Sequence, residues 1–222
     1  MERAPLDASQ VANHILRKFF EGNMEITPLK LQNIIYIVYG YYLIITKKRL
    51  FDEPILAWDL GPVVPSIYYF YKGKNRIKNK EYIFINEKYD KEYRIFPKYC
   101  DLNYVIFPYP VESELYNEET DLYFCSVVNM VYKFYKWKSN KELVEILHQK
   151  GSPWYKVYNR NNILASGKNR PLLDEDICKQ LEPLLIKNLE HKDRNFFDIV
   201  FSMVKKAFTN ILLIFYPIFT IN

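Results

Sequence analysis

Glycine is scarce in this chain, 6 in 222 residues, and proline is held to 12, so the composition of a flexible linker or a collagen-like repeat is excluded. Cysteine is scarcer. Cys100, Cys125 and Cys178 lie far apart and form no Cys-x-x-Cys pair. An odd number cannot close a disulfide framework, so a reducing, cytoplasmic compartment is expected. A large excess of one charge is also missing. The 31 Lys+Arg against 26 Asp+Glu leave +5, well short of a dedicated nucleic-acid binder. No uncharged run reaches the roughly 20 residues of a membrane span. Leu31–Thr46 and Ala207–Asn222 are 16 residues each, the first carrying Gln32 and Asn33 and the second broken by Pro217. The opening MERAPLDASQ lacks the apolar core expected of a signal peptide.

Catalytic signatures are absent as well. GxSxG, HExxH, a P-loop and GxGxxG do not occur, and Gly167-Lys168 has no upstream glycine to make a phosphate loop. His14, His148 and His191 have no metal-ligand spacing to one another or to the cysteines. No enzyme, cofactor or metal is expected on these grounds.

What is present is a large apolar complement, 49%, too high for a disordered chain and, at this length, suited to one domain with or without an appendage. The 20 Tyr and 15 Phe accompany 23 Lys against 8 Arg and many Ile and Asn. All of the favoured types have AT-rich codons, so the aromatics read as compositional bias and not as a base-stacking surface.

Helical periodicity starts at once. Asp7 or Ser9 can cap a helix to about Glu21 with Val11, Ile15 and Phe19 on one face, and Gly22-Asn23 stops it. Thr27-Pro28 opens a second helix, apolar nearly all round from Ile34 to Ile45, which reads as central and buried. Ile55–Trp58 suits a short strand, Gly61-Pro62 a turn, Val64 an extended residue before Pro65, and Pro65 a third helix to Gly73. Residues 74–111 hold YIFIN (82–86), YRIF (93–96) and YVIF (104–107), a small antiparallel β unit. Thr120 can cap a helix to Trp137, and Ser139 with Glu142 forms a capping box for a helix through His148 that Gly151-Ser152-Pro153-Trp154 ends. Pro171 or Asp174 opens a helix to about Leu189 that Pro183 should kink or divide. Residues 191–222 form an apolar extension, read as a terminal helix packed on the core, with a partner surface or an interfacial membrane contact as alternatives. The fold class expected is mainly α with a small antiparallel β unit, α+β, around a buried central helix.

Three segments taken together, ITPLKLQNIIYIVYGYYL (26–43), LFDEPILAWDLGPVVPSIYYFYKG (50–73) and ELVEILHQKGSPWYKVY (142–158), resemble the SocA-like antitoxin family, whose Panacea domain also includes phage-associated proteins of the GepA type. The order and spacing of T-P-L-K-L-Q, A-W-x-x-G-P-V-V-P and H-Q-x-G-S-P-W carry the likeness. It covers roughly residues 9–190, and the domain is drawn at 7–190 with 74–111 as a basic β-rich insertion. The resemblance implies a mainly helical, non-enzymatic, cofactor-free antitoxin that neutralises a toxin encoded beside it, usually by direct binding; one family member delivers its toxin to a Clp-type protease. The sequence departs from the family at Gly40, followed here by Tyr41-Tyr42 where a glycine-tryptophan pair is common, in the longer 74–111 region, and in the tail.

The resemblance singles out Lys30, Gln32, Tyr36, Trp58, Gly61, Pro62, Val63, His148, Pro153 and Trp154 as signature or partner-binding residues. Most have a structural reading too. Trp58 and Trp154 suit packing, Gly61 and Pro62 are backbone devices, Lys30 and Gln32 can snorkel or satisfy buried groups, and His148 can fix a turn by a hydrogen bond. Residues 72–98 hold nine bases against four acids, +5, which equals the net charge of the whole chain. Lys72, Lys74, Arg76, Lys78 and Lys80 lead this basic patch, whose target would be an acidic protein surface or nucleic acid. Two further functions compete with the antitoxin: a nucleic-acid-binding regulator of phage or operon genes, and a membrane-associated interaction protein, the membrane being the less favoured partner.

Overall fold

The computed structural model describes residues 6–79, 81–83, 93–95, 106–108, 118–158 and 169–190. Helix α2 (Pro28–Thr46) is its axis. It starts where it does because Thr27 Oγ1 accepts the Lys30 N–H at 3.1 Å and Pro28 occupies the first helical position. It ends where Lys47 turns left-handed at φ 60° and donates its N–H to Leu43 O. Every residue from Leu31 to Ile45 is buried. Each large apolar side chain taken from water here contributes about 1.5–3 kcal/mol, so among the described elements this one makes the largest single contribution to the hydrophobic term.

Around α2 pack α1 (Ala8–Glu21), α3 (Pro65–Tyr71), α4 (Glu118–Tyr135), α5 (Asn140–Leu147) and α7 (Asp174–Glu190), with the short α6 (Pro153–Tyr158) beside α7. Asp7, one of the two caps the sequence offers, closes α1 in a capping box with Gln10, and Ser139 does the same for α5 with Glu142, as the sequence suggests. The tyrosines of α2 bury their rings and need partners for their hydroxyls. Tyr36 donates to Gln180 Oε1 at 2.7 Å and Tyr39 to Asp174 Oδ1 at 2.8 Å. Tyr41 shares a 2.9 Å bond with Tyr135, and Asn188 donates to both oxygens. These bonds pin α7 and α4 to the core helix, and burial raises the pKa of the Tyr36, Tyr39 and Tyr41 phenols far above their ordinary range.

A three-stranded antiparallel sheet of order β2-β1-β5 lies at one side: β1 (Leu56–Trp58), β2 (Gly61–Val63) and β5 (Arg170–Pro171). A separate pair joins β3 (Tyr93–Ile95) to β4 (Ile106–Pro108), with Tyr93 opposite Pro108. The α+β class, helical with a small antiparallel β part, is therefore observed.

Several local expectations change. Gly61-Pro62 is not the turn; it is the start of β2, and the two-residue turn is Asp59-Leu60, because Trp58 pairs with Gly61. Pro153 does not end α5 but begins α6, where its lack of an N–H costs nothing and Ser152 Oγ accepts the Tyr155 N–H at 3.1 Å. Helix α4 starts at Glu118, so Thr120 lies inside it. Asp174, not Pro171, opens α7, which continues through Pro183. At 82–83 there is no strand: Asn13 of α1 grips Ile83 instead, its amide donating to Ile83 O and its oxygen accepting Ile83 N–H, both at 2.8 Å. Residues 84–86 and the apolar tail 191–222 lie outside the described residues.

Among the cysteines, Cys178 is a free, half-buried thiol, whereas Cys125 is buried and disulfide-bonded, a departure from the all-thiol expectation. No helix among the described residues is long and apolar enough to cross a membrane.

Candidate functional site

The three sequence segments that carry the resemblance meet at the β1–β2 hairpin. Gln32, on the first turns of α2, grips the chain just past the hairpin. Its Oε1 accepts the Val64 N–H at 2.8 Å and its Nε2 donates to Val64 O at 3.2 Å, both buried. One side chain thus replaces the ladder partner that Val64 has lost, and holds it extended (φ −92°, ψ 111°) as Pro65 requires. From the other side Trp154, on α6, donates its indole N–H to Trp58 O at 2.7 Å. His148 stacks flat on Trp154, ring centres 3.6 Å apart and planes 4° apart. Tyr158 stacks on the Trp154 ring at 4.7 Å and donates its hydroxyl to Asp59 in the hairpin turn at 2.8 Å.

Gly61 is required for two reasons. Its φ of 126° is open to glycine, and a Cβ there would sit 2.9 Å from His148 Nε2 and 3.5 Å from Asn33 Oδ1. His148 therefore fixes the turn by close packing; its Nε2, like both amide atoms of fully buried Asn33 and the indole N–H of Trp58, has no hydrogen-bond partner among the described residues. Burial lowers the His148 pKa to about 4, so its imidazole is neutral near pH 7.

Beyond the hairpin lies a groove of about 430 Å³, walled by Pro28, Leu29, Trp58, Leu60, Val63 and Tyr68 and bordered by Lys72 and Lys74. Its floor includes Gln32, and Thr27 bridges to Asn140 on α5 at 2.9 Å beside it. Leu60, at the tip of the turn, is 63% exposed, and so is Tyr69 on the neighbouring helix. Trp58 is half-buried, edge-on to Tyr68 at 4.7 Å. A second cavity of about 550 Å³ on the far side of α3 gathers Asp7, Asp52, Glu53 and Phe70 but none of the signature residues.

The structure thus brings together Gln32, Trp58, Gly61, Pro62, Val63, His148, Pro153 and Trp154. It sets two others apart. Tyr36 faces α7 through Gln180, and the Lys30 ammonium donates to Lys136 O at 2.6 Å in the α4–α5 connection. Burial lowers the Lys30 pKa, and Glu142 works against that by raising it. The basic patch proves to be partly spent. Lys74 pairs with Glu81 at 2.9 Å and Arg76 with Glu25 at 2.8 Å, Lys78 donates its backbone N–H to Glu81, and Lys80 lies outside the described residues. No metal-holding group of three His, Cys, Asp or Glu occurs among the described residues.

Sequence reasoning missed Leu60, Asn33 and Tyr158. Leu60 is hidden when the turn is placed two residues late. Asn33 had a signal, a second amide beside Gln32 in an otherwise apolar run.

Compared with known proteins, the chain matches the family model described as Antitoxin SocA-like, Panacea domain, over residues 31–155, 125 of its 222 residues. It is 26% identical over 154 residues to the antitoxin SocA of Caulobacter vibrioides (strain NA1000 / CB15N), covering 69% of this chain and 71% of that protein. No solved structure matches significantly. The matched segment opens in the first turn of α2 and closes in α6, so it contains the hairpin with Gln32, His148 and Trp154, and leaves Tyr158 just outside.

Proposed function

The chain belongs to the antitoxin SocA-like, Panacea-domain family, and on that premise we propose that it is an antitoxin that silences a cognate protein toxin by binding it directly, without catalysis. The observation that carries the reading is the hairpin assembly. Residues from α2, α5 and α6 hold a short β-turn rigid, and the turn presents an exposed leucine at the edge of an apolar groove. Rigidity of that kind lowers the ordering cost of binding a protein. It does nothing for a reaction, because the same assembly offers no nucleophile beside a base and no paired carboxylates.

The toxin is expected from a neighbouring reading frame, and the complex is expected in the cytoplasm. Delivery of the bound toxin to a Clp-type protease is a finer version of the same proposal. Regulation through nucleic acid has less behind it, since Lys74 and Arg76 are engaged by carboxylates. The test is co-expression. A neighbouring gene whose product alone stops growth, rescued by this chain and co-purifying with it, supports the proposal. Absence of both rescue and complex for every neighbouring frame removes it. Comparing toxin half-life with and without the protease separates simple neutralisation from delivery.

A further inference from the structure

We propose that the toxin seats on the groove between the β1–β2 hairpin and α3, through a segment that sets an apolar or aromatic side chain beside a carboxylate. This rests on the antitoxin reading and deepens it.

The apolar half of the occupant follows from the walls. Pro28, Leu29, Val63 and Tyr68 line the groove, and Leu60 reaches over it at 63% exposure. An isolated exposed leucine is ordinary. Here it sits on a turn whose neighbours are fixed at three points: Trp58 O by Trp154, Asp59 by Tyr158, and Val64 by Gln32. The volume, about 430 Å³, lies within the roughly 300–1,000 Å³ of clefts that enclose a ligand group.

The acidic half follows from which charges at the groove are already used. Lys74 reaches Glu81, and Asp59, which keeps its charge, is held at the hairpin turn by the Tyr158 hydroxyl. Lys72 has no carboxylate within ion-pair distance among the described residues; its ammonium lies 6.0 Å over the Tyr69 ring. Lys72 is therefore the unspent donor at the groove, and a carboxylate flanked by an apolar side chain satisfies its chemistry. A basic or neutral segment leaves Lys72 unmatched.

The experiment uses the full chain and the toxin identified by growth rescue. Leu60→Asp and Lys72→Glu each alter an exposed side chain at the groove, and Lys179→Glu makes the same charge change on α7, away from it. Both groove variants are expected to weaken toxin binding at least tenfold and to lose rescue, with unchanged thermal midpoints and with Lys179→Glu like the parent. Groove variants that are folded and bind as the parent does overturn the proposal while leaving the antitoxin reading intact. If no neighbouring product is bound, that reading fails, and the groove is then tested alone. The probe is a fluorescein-labelled peptide with one tryptophan between aspartates, compared with its lysine-flanked counterpart by fluorescence polarisation. Preference for the acidic peptide, lost in Lys72→Glu, sustains the groove as an acidic-segment site. Absence of preference overturns it.

Discussion

Replacing Gln32 with leucine removes two hydrogen bonds and almost no volume. The side chain is 4% exposed, and it is the partner of the Val64 N–H and a second donor to Val64 O, which also accepts the Tyr68 N–H at 3.1 Å. In the Gln32→Leu protein the Val64 N–H stays buried with no partner, while the carbonyl keeps Tyr68. One such orphaned group costs about 1–3 kcal/mol. The expected loss is therefore about 1–3 kcal/mol, against the roughly 5–15 kcal/mol total of an ordinary domain. At a urea slope of about 1–3 kcal/mol per molar, the midpoint should fall by about 1 M. Tryptophan fluorescence is a suitable readout because Trp58 and Trp154 adjoin the altered bonds. Gln32→Glu adds a directional check. At neutral pH its carboxylate accepts from the Val64 N–H but faces the carbonyl with a lone pair and buries a charge. On protonation it gains a donor, so part of the loss should return as the pH falls. If Gln32→Leu lies within about 0.5 kcal/mol of the parent at an unchanged slope, below the cost of a single unmade buried hydrogen bond, the clamp is not what holds the hairpin.

Three further outcomes follow from the same geometry. Gly61→Ala should cost about 1–3 kcal/mol, because φ is 126° and the new Cβ would press on His148 Nε2 at 2.9 Å; urea midpoints check it, and a neutral result refutes the packing argument. Gly40→Ala places a Cβ 2.2 Å from Leu181 Cδ1 and 3.0 Å from Ile177 Cγ2, so α7 should loosen and limited proteolysis should cleave after α6 sooner, with about 1–3 kcal/mol lost to overpacking. His148 and His14 have folded pKa values of about 4 and about 3, below the roughly 6.5 of an unfolded histidine. The unfolded chain therefore takes up protons first: the stability due to the neutral imidazoles is complete above about pH 6.5 and declines as the pH falls towards 4. Thermal midpoints across that window should drop, and less steeply in His148→Gln; identical slopes would sink the assignment to His148.

How far the sequence disclosed this arrangement depends on the range of the interaction involved. Helix starts were legible because a cap needs only Thr27 and Pro28, or Ser139 and Glu142, within four residues. The burial of α2 was legible because an apolar surface all round has only one stable place in the absence of a full membrane span. The hairpin register was not. Gly61-Pro62 has turn chemistry, yet the turn falls at Asp59-Leu60, because pairing of Trp58 with Gly61 is fixed by a contact made 96 residues away, through Trp154. Pro153 reads as a stop, whereas Ser152 caps a helix starting at it. The positive patch is arithmetically correct along the chain. It is misleading in space, because Glu25, 51 residues from Arg76, neutralises one of its members.

That difference bears on what the signature motifs mean. Nearly every signature residue is consumed inside the molecule: Gln32 on Val64, Trp154 on Trp58 O, His148 on Trp154, and Gly61 beneath His148. A residue whose hydrogen bonds are all internal and whose ring is stacked has little left to offer a partner without breaking the fold. The motifs therefore specify how the hairpin is held, and partner choice has to reside where side chains are exposed and energetically idle. Leu60, and Lys72 with no carboxylate in ion-pair distance among the described residues, meet that condition at the groove. Changing them should leave the unfolding free energy within about 0.5 kcal/mol, as for ordinary surface positions. Changing the signature residues should move stability and binding together. A scaffold divided this way can keep one fold while its presented residues change, and the two classes of variant, measured side by side for stability and toxin affinity, show whether the division is real.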